Sequence, residues 1–429
     1  MKRLLYALGI LALVAIVIFI GYFFRYRAEV PPGTETGGLG TGGGLPQTAP
    51  LAPGAQPPGG GQSGTTQGET GGAPGTSLGT GRRLTLVSDK EVSSFSVDKD
   101  GAVYLIQPDG QIVKVANGKQ EVVSAAPIAS LLSSAFSSDS KKVVATFLAG
   151  GLPQSSVFDM DAKVWQSLPA NAEQPLWAPT GQTIAYLHGA TDGKKEIVTQ
   201  DLKNAKAKSQ ALASFAMEDV ALSWPSSDII IIASKSSARI AGAILSFNVK
   251  KKTISFLAND ERGLMSAWNA SSTKGLVFAA NRNARGGGLT IRDASGNIQN
   301  QLALLTLPSK CVFGIEAIKQ EVETSTSTTA TTSSKAKSAP KIELLEVLYC
   351  GIPRDAGLLL SQELPDSYQK RALYTIDDIY RIDLKDGFVE VLWAADDMWI
   401  DADAPKVANG KLYLLNRYDK KLYELKLAQ

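Results

Sequence analysis

Leu176-Trp177-Ala178-Pro179-Thr180-Gly181-Gln182-Thr183-Ile184-Ala185-Tyr186 is the stretch from which the rest of the chain can be read. A short strand ends in an aromatic residue, a polar Pro-Thr-Gly turn follows, and a β-branched and aromatic strand leaves the turn. The same grammar recurs at Phe95-Ser-Val-Asp-Lys-Asp-Gly, Phe136-Ser-Ser-Asp-Ser-Lys-Lys, Trp224-Pro-Ser-Ser-Asp and Trp268-Asn-Ala-Ser-Ser-Thr-Lys-Gly. The anchors are 41, 41, 47 and 44 residues apart, and a sixth copy begins 45 residues further on at Phe313. A seventh turn reads Ala408-Asn-Gly-Lys-Leu-Tyr-Leu-Leu.

Two further strands follow most turns, as in Ala243-Ile-Leu-Ser-Phe-Asn-Val and Thr253-Ile-Ser-Phe-Leu. About four strands per 41–47 residues is the period of a propeller blade, and no long amphipathic helical pattern competes with it. The anchors Phe95, Phe136, Trp177, Trp224 and Trp268 are expected at equivalent buried positions between blades. The sixth unit is oversized by a Ser/Thr-rich low-complexity insert over residues 323–340 and by a second insert from Arg354 to Arg371. Leu84-Thr-Leu-Val is expected to close the ring beside Leu422-Tyr-Glu-Leu-Lys-Leu, hiding a sheet edge.

The turn pattern resembles the F/W-S-P-D-G-K-x-I-A-Y repeat of TolB-type, WD-repeat-like bacterial β-propellers. Leu176–Tyr186 and Ala135-Phe136-Ser-Ser-Asp-Ser-Lys-Lys142 match closely, and the resemblance covers roughly residues 83–429. It implies a seven-bladed, all-β propeller. The Trp-Asp and Gly-His signatures of eukaryotic WD repeats are absent, so their hydrogen-bonded tetrad does not carry over.

Two segments precede this domain. Leu4 to Phe24 is free of charged residues, and as a helix it would be about 32 Å long, enough to cross a bilayer. Arg-Tyr-Arg-Ala-Glu-Val-Pro-Pro follows in place of a small-residue cleavage site, so residues 1–27 are expected to be an uncleaved transmembrane anchor rather than a signal peptide. Residues 28–82 are expected to be a disordered linker: from Pro31 to Arg82, 18 Gly and 8 Pro make up half of the stretch. Its root-mean-square reach is about 40 Å as a flexible coil. The matches Gly38–Gly43 to G-x-G-x-x-G and Gly75–Gly79 to G-x-S-x-G fall in this glycine-dense linker, outside the strand–helix context either motif needs.

Composition removes several function classes. A net charge of +3 from 44 basic and 41 acidic residues does not suit a nucleic-acid binder. One histidine, His188, and two cysteines, Cys311 and Cys350, exclude multi-His and multi-Cys metal sites, and no cofactor is expected. His188 has no nucleophile or carboxylate nearby in sequence. Gly286-Gly-Gly288 reads as a hairpin loop more readily than as an anion nest, and Asn269-Ala-Ser271 is a glycosylation sequon within a repeat turn. Trp393 and Trp399 lie off the repeat pattern and are the candidate ligand-binding residues. Asp396, Asp397, Asp401 and Asp403 form the densest acidic cluster. Within it Asp401 and Asp403, on one strand face, are the candidate metal ligands, although solvated turn acids are the plainer reading.

Cys311 and Cys350 occupy the first two strands of blade six. In an antiparallel hairpin they can lie opposite one another within disulfide range, the alternative being two buried thiols. A disulfide requires an oxidising compartment. With flanking charges almost balanced across the apolar run, this pairing, the linker and the Ser/Thr loop lead to a single-pass membrane protein with its propeller outside the cytoplasm. The function expected is a binding or scaffold module for a protein or cell-envelope polymer. The alternative is a carboxylate-based glycosidase or lyase at the channel mouth.

Overall fold

The computed structural model describes residues 83–427 apart from 125–126, 191–192, 204–207, 218 and 321–340. The anchor expected over residues 1–27, the linker over 28–82 with its two glycine-rich matches, and the insert 323–340 lie outside the described residues. Among the described residues no helix is long and apolar enough to cross a membrane.

Among the described residues, twenty-eight strands form seven antiparallel four-stranded sheets, the seven blades expected from the repeat. Blades 1 to 6 occupy residues 94–124, 131–167, 173–215, 220–262, 265–302 and 311–393 in sequence order. Blade 7 takes three strands from residues 402–426 and its outermost strand, Leu84–Leu86, from the other end of the domain. Leu84 pairs with Leu425 and Leu86 with Tyr423, the ring closure expected from sequence. The first strand of each blade faces those of its neighbours around a central channel.

The repeating turn has a common hydrogen bond. The amides of Ser137, Ala178 and Asn269 donate to the carbonyls of Lys142, Thr183 and Lys274 at 2.8, 2.9 and 3.0 Å, and Asp98 donates to Ala102 at 2.9 Å. Gly181 supplies the positive φ of +75° that the quoted turn needs. The anchor aromatic sits just before this bond in blades 2, 3 and 5. In blade 1 that position is Val97, and Phe95 lies two residues earlier, so the expected equivalence of Phe95 with the others is corrected by two residues.

Burial of the anchors is also uneven. Phe95 and Trp177 are buried, whereas Phe136, Trp224 and Trp268 are half-buried. Trp177 packs on Val144, Val157 and Ile184 between blades 2 and 3, and its indole N–H donates to the Ala135 carbonyl at 2.9 Å. The buried indole N–H groups of Trp224 and Trp268 have no such acceptor. Trp268 lies so flat on its neighbouring strand that a Cβ on Gly275 would stand 2.6 Å from the ring.

Blade 6 carries the structural additions. Cys311 is directly opposite Cys350 in a hairpin of Cys311–Gln320 and Lys341–Pro353, and the two form a disulfide with Cα atoms 4.1 Å apart. The second insert is folded: α1 (Ala356–Ser361) and α2 (Asp366–Gln369) lie between the second and third strands. Asp355 caps α1 by accepting from the Leu358 amide. The insert then docks across blades 4 and 5. Asp366 accepts from the Ala238 amide at 2.6 Å, Glu363 pairs with Arg239, and the Gly286 amide donates to the Gln362 carbonyl at 2.9 Å. That last contact makes the Gly286–Gly288 loop a docking point for the insert.

Candidate functional site

One mouth of the channel is built from the loops that enter each blade and the loops between its second and third strands. On this mouth, where blades 6 and 7 meet, three aromatic rings come together. Trp399 enters from the loop before blade 7, Tyr418 from the loop after that blade's second strand (Lys411–Asn416), and Tyr374 from the segment between the blade 6 insert and that blade's third strand (Asp377–Asp383). Ring centroids are 6.0 Å apart for Trp399 and Tyr418 and 5.4 Å for Tyr418 and Tyr374. Trp399 is 65% exposed, Tyr418 39% and Tyr374 36%, so this is an open ridge and not a core fragment.

The ridge is held from beneath by a buried ionic network. Lys310, at the end of the short 3-10 turn Pro308–Lys310, is fully buried with its Nζ 2.5 Å from both Asp377 and Asp401 and 2.7 Å from the Thr375 hydroxyl. The Arg417 guanidinium donates to Asp401 at 2.8 Å and to the Tyr368 carbonyl at 2.8 Å, and lies 3.6 Å from the centre of the Tyr368 ring. On its other side it approaches Tyr374 at 4.9 Å. Asn416 ties the network to the ridge: its Oδ1 accepts from the Asp401 and Tyr418 amides, and its Nδ2 donates to the Trp399 carbonyl at 3.2 Å.

Two positive and two negative side chains meet here out of water. Such a cluster is costly unless every charge is paired and hydrogen-bonded. Burial raises the Asp377 carboxyl above the usual range, although Lys310 pulls it down. Burial also pushes the Tyr368 hydroxyl well above its ordinary value, with Asp401 adding to the effect. What the network supplies is position: Arg417 orients two rings by stacking, and Asp401 orients Arg417.

The sequence candidates fall on both sides of this arrangement. Trp399 is the most exposed ring of the ridge. Trp393 ends the last strand of blade 6 (Val389–Trp393) and packs against the core between blades 6 and 7. Asp401 is fully buried, its carboxylate taken by Lys310, Arg417 and Tyr368. Asp401 precedes the strand Ala402–Ala408 and Asp403 is that strand's second residue; burial raises the Asp403 carboxyl, and Arg417 and Lys310 pull it down. Among the described residues no group of three or more His, Cys, Asp or Glu is placed to hold a metal. The Asp377 and Asp401 carboxylates that Lys310 bridges are closed to substrate. His188 Nε2 meets Asn171 Nδ2 at 2.5 Å. Asn269, buried, bonds Thr273 and Glu346 through its Nδ2, the atom a glycan would need.

Tyr374, Tyr418, Arg417, Lys310 and Asp377 were not singled out from sequence. The one legible signal was Asn416-Arg-Tyr-Asp419, an aromatic residue set in a polar turn. Lys310 and Asp377 are 67 residues apart and carry no local mark.

The fold and this mouth define a seven-bladed β-propeller, and the likeness to TolB-type propellers holds at that level. No known family profile and no curated protein matches the chain. Solved structures do. An oligogalacturonate lyase from Vibrio parahaemolyticus is 6% identical with a TM-score of 0.51, over 83% of this chain and 97% of that one. TolB from Acinetobacter baumannii is 11% identical with a TM-score of 0.33, over 82% and 64%. An acylaminoacyl peptidase from Pyrococcus horikoshii is 11% identical with a TM-score of 0.42, over 67% and 43%. The chain thus spans less than two thirds of TolB and under half of the peptidase, and the likeness is one of fold.

Proposed function

We propose that this chain is a membrane-tethered, extracytoplasmic propeller that acts as a binding or scaffold module for a protein or cell-envelope polymer. The apolar run of residues 4–24 anchors it, residues 28–82 give it reach, and the propeller presents the contact surface. The observation that carries the binding reading is the ridge of Trp399, Tyr418 and Tyr374: exposed rings held rigid by a buried ionic network. Aromatic side chains with few rotatable bonds, fixed before contact, lose little entropy on binding and anchor many interfaces. The Cys311–Cys350 disulfide supports an oxidising compartment.

The test has two arms. Protease added to intact cells should release the propeller, and protection until lysis would reverse the topology. Capture from cross-linked cells should recover a partner with the natural chain and lose it with Trp399→Ala/Tyr418→Ala. Equal capture by both would remove the ridge from the contact.

A further inference from the structure

Away from the ridge, the same mouth holds a cavity of about 610 Å³ against blade 4, within the range of small-ligand sites. Its walls come from the first strands of blades 3, 4 and 5, and Gln369 of the docked insert hangs at its edge. The chemistry of the lining is distinctive. Ser223 and Ser266 open onto it with hydroxyls that have no hydrogen-bond partner among the described residues, and the Gln369 side chain is likewise free. Gln174 donates its amide to the Val220 carbonyl, leaving its own carbonyl oxygen to accept. In the wall behind, the Ser236 hydroxyl is buried and unsatisfied. Leu222 and Met265, both half-buried, form an aliphatic floor, with Ile231 and Leu264 packed in the core behind. The lining carries one anion and one cation, Asp219 and Lys235, so its formal charge is zero; their backbones meet where the Lys235 amide donates to the Asp219 carbonyl at 2.8 Å.

We infer that this cavity binds a neutral sugar, one or a few rings of an uncharged oligosaccharide. Hydroxyls and primary amides each donate and accept, as sugar hydroxyls do, so such a wall can match a ring's alternating groups. The aliphatic floor suits the ring's C–H face. An acidic sugar would need a cation in surplus, and the lining has one cation against one anion. A polar wall with free hydroxyls also discriminates strongly, because a ligand that cannot pair with them leaves them unsatisfied. The inference rests on the reading of the domain as a binding module but not on the ridge.

The experiment uses the full chain, purified in a detergent without a sugar headgroup. It is titrated with neutral tetrasaccharides of glucose, mannose, galactose and N-acetylglucosamine, and with tetragalacturonate. At least one neutral tetrasaccharide should bind. Ser266→Leu should weaken it tenfold or more by filling the cavity and removing a hydroxyl, while Leu152→Ala, on the exposed surface of blade 2, leaves it unchanged. If Ser266→Leu does not fold, Ser223→Leu at the exposed end of the wall decides in its place. Binding by none of the neutral sugars, or by tetragalacturonate alone, would overturn the inference. Loss on Trp399→Ala with no effect of the serine substitutions would overturn it too, and would leave the ridge as the contact surface.

Discussion

Replacing Lys310 by Met removes the cation that touches both Asp377 and Asp401, and the structure sets the consequence. All three side chains are fully buried, so neither carboxylate can turn to water. Asp401 keeps Arg417 as a partner at 2.8 Å, but Asp377 is left with the Thr375 hydroxyl and the Ala402 amide. Removing one member of a buried ion pair costs about 3–5 kcal/mol. At roughly 2 °C per kcal/mol for a domain of this size, the melting temperature should fall by about 6–10 °C at neutral pH. The deficit should depend on pH. Asp377 already binds its proton more tightly in the fold than an ordinary carboxyl does, and losing Lys310 increases this. Its folded pKa lies above the unfolded one, so stability is lost as pH rises from the usual carboxylate range through the raised value. It is regained on acidification. Lys310→Met/Asp377→Asn should recover much of the loss, since the stranded charge goes with its partner. Thermal and urea melts of the three proteins across pH read this directly. A loss under 1 kcal/mol that does not vary with pH would refute the reasoning.

Three further outcomes follow from the geometry. Trp177→Ala should cost about 3–5 kcal/mol, and Trp224→Ala clearly less, because Trp224 is half-buried and its N–H is unsatisfied; equal losses in urea melts would contradict the packing described. Thiol counting on denatured, unreduced protein should find none free, and Cys311→Ser/Cys350→Ser should lose about 4 kcal/mol in the chain-entropy model; two free thiols would refute the bridge. Solvent reaches Lys406 from the channel, yet the surrounding protein desolvates its amine, which donates to the Phe95 carbonyl at 2.6 Å, and lowers its pKa to about 8. Acylation of Lys406 should therefore rise with a midpoint near 8 and precede that of surface lysines; a midpoint near the ordinary lysine value would contradict it.

The fold was legible because its signal is local and repeated. The polar turn beside Trp177 is fixed by hydrogen bonds within a handful of residues, and the spacing of its copies counts the blades. The cysteine pairing was legible for a related reason, since one hairpin brings Cys311 and Cys350 opposite each other. Placement within the repeat was less secure: Phe95 imitates an anchor, but the turn bond at Asp98 assigns that role to Val97. The site was harder still. Lys310, Asp377, Asp401 and Arg417 converge from four segments across 107 residues, and only the packing of blade 7 against blade 6 brings them together. Asp401 was noticed for its acidity, but sequence could not show that a lysine and an arginine had already claimed it. The insert at Arg354–Arg371 read as surplus to blade 6, whereas it folds over blades 4 and 5 and supplies Gln369 to the cavity.

Placing a photo-reactive phenylalanine analogue at position 399 in living cells tests the central claim most directly, with the same analogue at position 152 as control. Leu152 is 72% exposed on blade 2, away from the ridge, and Trp399 is 65% exposed on it. Light should join position 399 to a discrete partner, protein or polymer, on the outer side of the membrane, with no such product from position 152. No product at 399, or the same products from both positions, would contradict a binding module that works through this ridge.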